Sequence, residues 1–283
     1  MSVANRRDQT IYKMTGSGND FIFVDGREQP VDRWTVADIQ AVCARRIGVG
    51  ADGLVVLEPG SGPGRVRFHF FNSDGSRGAM CGNAALCATR LAALLELAPT
   101  GGMILETDAG EVRTRCLDDA PHRAELTLPP VVRLNHPNIP LDPGEQAIGF
   151  AVVGVDHVVV LVDDLERIPM EVRGPVLRQH PALGPAGANV NFVAPGPEGW
   201  AMRTWERGVE GETLACGTGA VACGVYLASR RLVTLPWHVR SRSGVSLTVS
   251  ATMSPEGVAI AADPRLAGEG RLVYQARLVS VAP

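Results

Sequence analysis

The sequence predicts an α+β fold of two homologous lobes with related topology. The first observation behind this is a repeat: the order strand, turn, Cys-Gly, helix, hairpin occurs twice, once around Cys81 in "AMCGNAALC" and again around Cys216 in "ACGTGAVAC". Self-similarity at about half the chain length marks a duplicated supersecondary unit. The second is bulk: 283 residues allow two ordinary domains, and 45% hydrophobic with 20% charged residues allow a sizeable core.

In the first half, "DFIFVDG" (20–26) and "GLVVLEP" (53–59) read as short apolar strands, with a helical stretch between them from about Asp38 to Arg46. "RVRFHFFNSDGS" alternates Val66, Phe68 and Phe70 with Arg65, Arg67 and His69. That period of two predicts a half-buried strand ending in an Asn-Ser-Asp-Gly turn. From Gly82 the spacing changes: Cys87, Leu91, Leu94, Leu95 and Ala98 recur at three and four, and Pro99 with Gly101-Gly102 stops the run. Cys81 is therefore expected at the entrance of a helix. "MILETDAGEVRTRCL" follows as a hairpin around Asp-Ala-Gly, and "AELTLPP" closes this half.

The Pro- and Asn-rich stretch Pro129 to Pro143 is the expected boundary, giving an N-terminal lobe 1–128 and a C-terminal lobe 129–270. The second lobe opens with strands in "AIGFAVVGVDHVVVLVDD", a short helix near Glu171 to His180, and "NVNFVAP". "WAMRTWERG" leads through a Gly-rich turn to Cys216, a helix from about Gly217 to Arg230, and a hairpin in "HVRSRSGVSLTVS". The last strand-like run, "RLVYQARLVS", is expected to return and complete the first lobe over about 271–283.

Composition removes several function classes. Net charge is −3 and aromatic content 5%, without the basic footprint or stacking platforms that nucleic acid requires. The N-terminal "MSVANRRDQT" has no signal-peptide core, and the longest apolar run, "VVVLV", is far too short to span a bilayer, so a cytoplasmic address is expected. Six cysteines in a long chain without an export signal predict reduced thiols, and the spacings C-x5-C and C-x6-C miss those of structural zinc sites. Lys13 is the only lysine, in neither a Walker phosphate loop nor a pyridoxal Schiff-base context. No metal and no cofactor are expected.

A helix start leaves backbone N–H groups unpaired and concentrates about half a positive charge. A cysteine there has its thiolate favoured, with pKa values of about 3.5 to 7.5 against about 8.5 for a free thiol. The same N–H groups, at Gly82-Asn83 and Gly217-Thr218, can hold a substrate carboxylate, and glycine lets it approach closely. Two such thiols facing one bound carbon would act as base and acid on its opposite faces and invert its configuration. Cys43, Cys87, Cys116 and Cys223 read as packing residues, the usual fate of buried free cysteine.

The motifs "TGSGNDFIFVDGR", "RRIGVGADGLVVL", "FFNSDGSRGAMCGN", "NVNFV" and "WERGVEGETLACGTGAVA", in this order over most of the chain, resemble the diaminopimelate epimerase family. The resemblance implies a cofactor-independent interconversion of LL- and meso-diaminopimelate in lysine and cell-wall precursor synthesis. It also implies two lobes, each with a sheet wrapped on a central helix, and an active site in the cleft between them. Cys81 and Cys216 match the family's acid/base cysteines, and Gly82, Asn83, Gly217 and Thr218 its anion-holding helix ends. Asn19, Asn72, Asn189, Glu206 and Arg207 match its substrate contacts. His157 and Glu206 take supporting catalytic roles. The chemistry suits them: Asn donates and accepts, Arg clamps a carboxylate with two parallel bonds, and Glu accepts from an ammonium.

The chain departs from the family pattern at four places. Ala84 and Leu86 stand where the family often has Gly and Arg, Val155 where many members have Asn, and Gly53 where some carry Gln. These departures keep open a racemase of another amino acid, histidine for instance, on the same scaffold. From other classes, a thiol redox protein cycling Cys81 and Cys216, or a binding protein without turnover, also remain. The expected partner is a small-molecule amino acid, with a homodimer admitted and nucleic acid and membranes set aside.

Overall fold

The computed structural model describes residues 9–117, 122–252, 265–269 and 271–278. Two compact units divide the chain: Met1–Leu126 with Gly268–Pro283, and Thr127–Ala267.

The first unit begins with β1 (Gln9–Gly16), which turns through Ser17 and Gly18, both at positive φ (53° and 104°), into antiparallel β2 (Asn19–Asp25). Such a two-residue turn matches the twist of the strands it joins. Helix α1 (Val36–Cys43) starts in a capping box between Thr35 and Asp38. It stops earlier than the periodicity predicts: Ala44 is extended and Arg46 left-handed (φ 77°), so that the Gly50 and Ala51 N–H groups donate to the carbonyls of Val42 and Cys43. Strand β3 (Gly53–Pro59) runs parallel to β2, and β4 (Arg65–Asn72) antiparallel to β3. The short β5 (Arg77–Gly78) leads into α2 (Gly82–Leu94), and β6 (Met103–Thr107), β7 (Gly110–Cys116) and β8 (Arg123–Thr127) follow.

In the second unit, β9 (Val132–Asn135) pairs with β10 (Glu145–Val153), which turns at Gly154 into β11 (Val155–Val162). Helix α3 (Met170–Arg178) precedes β12 (Asn189–Gly196), β13 (Gly199–Glu206) and β14 (Gly211–Thr213). Helix α4 (Gly217–Ser229), β15 (Trp237–Arg240), β16 (Ser246–Ser250) and β17 (Arg265–Glu269) follow, and the last strand, β18 (Arg271–Leu278), belongs to the first unit.

The pairings repeat. β2 lies parallel to β3, β3 antiparallel to β4, β4 parallel to β6, and β6 antiparallel to β7. In the same sequence β11 lies parallel to β12, β12 antiparallel to β13, β13 parallel to β15, and β15 antiparallel to β16. The ninth strand of each repeat pairs with the first strand of the other: β9 with β10, and β18 with β1. Residues 279–283 of the predicted closing strand lie outside the described residues.

Each repeat is held by one almost wholly apolar helix, the pattern of a helix surrounded by core. α2 buries Ala84, Ala85, Leu86, Cys87, Ala88, Leu91 and Ala92 among Phe21, Phe23, Val55, Phe68, Phe70, Leu105 and Leu126. Each large apolar side chain so placed contributes about 1.5–3 kcal/mol. α4 buries Gly219 through Leu227, and Tyr226 lies over Gly149, where a Cβ would fall on its ring. The two helices even end alike: Glu96 (φ 56°) and Arg231 (φ 57°) are left-handed, and Leu97 and Leu232 donate back to Ala92 and Leu227. The β4 alternation is less clean than the sequence predicts. His69 is buried too, because its ring meets Glu58 at 2.9 Å on one side and Arg77 at 2.9 Å on the other.

Candidate active site

Cys81 and Cys216 are the N-cap residues of α2 and α4, both with extended backbone (φ −134°, ψ 120° and φ −128°, ψ 109°). Each carbonyl accepts the first helical bond, from Ala85 and Ala220 respectively. Neither side chain caps its helix, so the first turn lacks the oxygen that Ser, Thr, Asp or Asn would bring to this position. Gly82 and Gly217 follow as first helical residues, with Asn83 and Thr218 next. Cys216 is buried and its sulfur lies 3.6 Å from Thr218 Oγ1, whereas Cys81 is half-buried.

The polar surroundings of the first entrance are charged. Asn83 donates to Asn19 Oδ1 (2.7 Å), and Asn19 donates to Asp52 (2.9 Å). Asp52 is held in turn by Arg45 at 2.8 Å, and Arg45 also bonds Asp20. Lys13 pairs with Asp20 at 2.6 Å and donates to the Gly50 carbonyl, so the single lysine is a buried brace for the Arg45–Asp52 loop. Burial opposes the Asp20 charge, yet hydrogen bonds from Arg45 and Lys13 hold its carboxyl below the usual range. The Asn19 amide orientation is thereby fixed, with Oδ1 toward α2. Gly16 lies under the same turn, where a Cβ would come 2.5 Å from the Asn83 carbonyl and 2.8 Å from Cys87 Sγ. Asn72 is exposed at the end of β4 and donates to Ser76 Oγ (2.9 Å), closing the turn toward β5.

The second entrance combines buried uncharged groups, Asn189, His157, Asn191 and Thr204, with Glu206 and the charged Arg207. Asn189 begins β12 opposite His157 in the parallel register, and its Oδ1 accepts from the Arg207 backbone (2.8 Å). The Arg207 guanidinium donates to the Gly187 carbonyl (3.3 Å). Glu206 ends β13, and burial holds its carboxyl above the usual carboxylate range. His157 is fully buried and its pKa falls to about 3, chiefly through burial and further through the Arg207 charge. Its Nδ1 lies 3.2 Å from Asn191 Nδ2, and Thr204 donates to Asn191 Oδ1 (3.0 Å).

Sequence reasoning did not single out Asp52, Asn191, Thr204 or Gly219. The signal for Asn191 was present in "NVNF", because residues two apart on a strand share a face. The departures from the family pattern also acquire locations. Leu86 is wholly buried in the α2 core, and Val155 is exposed at the start of β11. Gly53 has no room for a side chain: its Cβ would sit 2.5 Å from the Phe71 carbonyl and 2.8 Å from the Phe70 ring. Cys43, Cys87, Cys116 and Cys223 are buried, and burial pushes the thiols of Cys87 and Cys223 well up and that of Cys43 to about 11.

Known proteins resemble this chain over nearly its whole length. The family profile described as diaminopimelate epimerase matches residues 11–131 and 149–259, one segment in each repeat. The chain is 44% identical over 278 residues to the diaminopimelate epimerase of Gemmatimonas aurantiaca, covering 95% of this chain and 99% of that one. It is 37% identical to the enzyme of the same name from Aquifex aeolicus, covering 92% and 96%. Among solved structures, a phenazine biosynthesis protein of the PhzF family from Bacillus anthracis shares the fold with a TM-score of 0.72 at 15% identity, covering 97% of this chain and all of that one. A probable proline racemase from Agrobacterium radiobacter does so at 0.65 and 18%, covering 97% and 94%. With both repeats matched and identity of this level across nearly the whole length, the chain belongs to the diaminopimelate epimerase family.

Proposed function

We propose that the protein epimerises LL-diaminopimelate to the meso isomer without a cofactor, a cytoplasmic step that supplies lysine and cell-wall precursors. The observation that carries the reading is the duplicated helix entrance with a cysteine at each N-cap, in a chain 44% identical to a diaminopimelate epimerase. One thiolate removes the Cα proton and the other thiol delivers a proton to the opposite face of the planar carbanion. Reversal exchanges the roles, so each cysteine is base for one isomer and acid for the other. The N–H groups at Gly82-Asn83 and Gly217-Thr218 stabilise the thiolate and the charge that develops on the substrate carboxylate.

The remaining residues are assigned by chemistry. Asn19, Asn72, Asn189 and Arg207 bind the amino and carboxylate groups, and Glu206, whose carboxyl burial holds above the usual carboxylate range, accepts from the substrate ammonium and supports the proton transfer. His157 supports the reaction without itself carrying the Cα proton.

The test is mass spectrometry of Cα deuterium uptake in D₂O with reduced, metal-free and pyridoxal-free protein, offering LL-diaminopimelate beside other L-amino acids. Uptake confined to diaminopimelate is expected. Uptake into another amino acid instead would reassign the substrate, and none at all would remove the reading in favour of a redox or binding role.

A further inference from the structure

His157, Asn191, Thr204 and Gly219 form one buried group in the second unit. Asn191 is fully buried on β12. Its Nδ2 lies 3.0 Å from the Val158 carbonyl and 3.2 Å from His157 Nδ1, and its Oδ1 lies 3.0 Å from Thr204 Oγ1. A carbonyl can only accept, so the amide nitrogen must face Val158, and the alternative flip would set two acceptors against each other. The second hydrogen of the same amide then points at His157 Nδ1, which has to accept it. An imidazole that accepts at Nδ1 and stays neutral carries its proton at Nε2. Nε2 is buried and has no hydrogen-bond partner among the described residues.

The scaffold does not require this polar group. In the first unit the register puts Phe21 opposite Gly53 and Val55 opposite Phe70, as His157 stands opposite Asn189 and Asn191 opposite Thr204 in the second. Ala84 is the third residue of α2, as Gly219 is of α4. Phe21, Val55, Phe70 and Ala84 pack there as ordinary core, with the Phe21 and Phe70 rings edge to face at 6.2 Å. In the second unit glycine is needed at 219, because a Cβ would run into Asn191 Oδ1 and come 3.1 Å from Cys216 Sγ. The side chain that orients His157 therefore also packs on the turn carrying the candidate catalytic thiol.

We propose that Asn191 is a positioning residue that fixes His157 as a neutral Nε2–H donor, so that His157 offers a hydrogen bond to negative charge in the site and is barred from acting as a base. The catalytic meaning rests on the epimerase reading, while the tautomer is a property of the protein alone. Burial and the Arg207 guanidinium, the charged group acting on this ring, both oppose a second proton on it.

The test is long-range ¹H–¹⁵N correlation on the full, histidine-labelled chain without substrate, from pH 8 to pH 5. His157 is assigned as the signal lost in His157→Gln. The expected result is an Nε2–H, Nδ1-unprotonated pattern that does not move over this range. In Asn191→Asp a carboxylate replaces the donor, so the proton should move to Nδ1 and the ring should begin to titrate within the range. Thr204→Val, which removes only the hydroxyl holding Asn191 Oδ1, should weaken the tautomer preference and serves if the aspartate variant does not fold. A parent spectrum with protonated Nδ1, or with the ordinary histidine titration, would overturn the proposal, as would an unchanged tautomer in a folded Asn191→Asp. A protein that turned over no diaminopimelate yet gave the expected spectra would lose the epimerase reading and keep the tautomer assignment.

Discussion

Four equivalent places in the duplicated fold hold Phe21, Val55, Phe70 and Ala84 in one unit and His157, Asn191, Thr204 and Gly219 in the other. The apolar set shows that a strand–strand–helix junction of this shape closes on packing alone. The polar set builds the same junction at a cost, since each buried polar group left unpaired forfeits about 1–3 kcal/mol. The first unit places its polar chemistry elsewhere, in the Asn83–Asn19–Asp52–Arg45 chain beside α2. Duplication thus supplied two helix entrances with the same cysteine, and divergence gave one a charged bracing network and the other a buried neutral one.

The largest effect should come from the feature both units share. Cys81→Ala and Cys216→Ala should each lower turnover by about 10²- to 10⁴-fold, the range of general acid–base catalysis, while leaving ligand binding measurable by calorimetry. Unchanged turnover in either variant would break the symmetry on which the mechanism depends.

The next effect separates the units. Gly219→Ala gives α4 the alanine of α2 but drives a methyl into Asn191, and should lower stability by about 1–3 kcal/mol. Ala84→Gly makes the reverse change in α2 and should cost about 1 kcal/mol from helix propensity, with a small further loss of packing. Urea midpoints measure both. A Gly219→Ala protein as stable as its parent would mean that Asn191 does not rest on α4.

A pH effect sharpens the comparison. His157 stays neutral in the fold down to about pH 3, whereas the unfolded chain takes up this proton near pH 6.5. Between those values the unfolded state binds more protons, so the His157 contribution to stability falls as pH falls from about 6.5 toward 3. At one pH unit below 6.5 the loss is about 1.4 kcal/mol. His157→Gln should flatten the stability profile by that amount, and Phe21→Leu in the apolar counterpart should leave its slope unchanged. An equal slope in parent and His157→Gln would contradict the burial of a neutral ring.

The smallest effect belongs to the first unit's outer brace. Arg45 is 57% exposed, so Arg45→Ala should cost under about 1 kcal/mol, with the loss shrinking further in high salt. A cost of several kcal/mol by urea unfolding would show that the charged network holds the unit together rather than orienting Asn19.

The helix entrances were legible because their signals are local. The switch from period two to period three-to-four after Cys81, and the same Cys-Gly step at Cys216, place helix starts at Gly82 and Gly217, where they occur. The ends were less legible: Leu95 and Ala98 continue the apolar spacing of α2, but the chain turns left-handed at Glu96. β1, with its irregular "QTIYKMTG", gave no clear period, and its strand character comes from pairing with β2 and with β18 at the far end of the chain. The His157–Asn191 contact was hidden for a similar reason. It joins residues 34 apart through a parallel register that no local spacing encodes. Lys13 shows the converse: its being the single lysine is plain in the sequence, but the count says nothing of the buried ion pair with Asp20 that the residue makes.

The most direct test of the central claim, one thiol for each face of one carbon, is the early time course of deuterium in D₂O, starting separately from LL- and from meso-diaminopimelate. With two thiols, solvent deuterium should enter the newly formed isomer at once and the recovered starting isomer only after reversal, in both directions. Equal label in the recovered starting isomer at the earliest times would mean that a single group serves both faces, and would contradict the account.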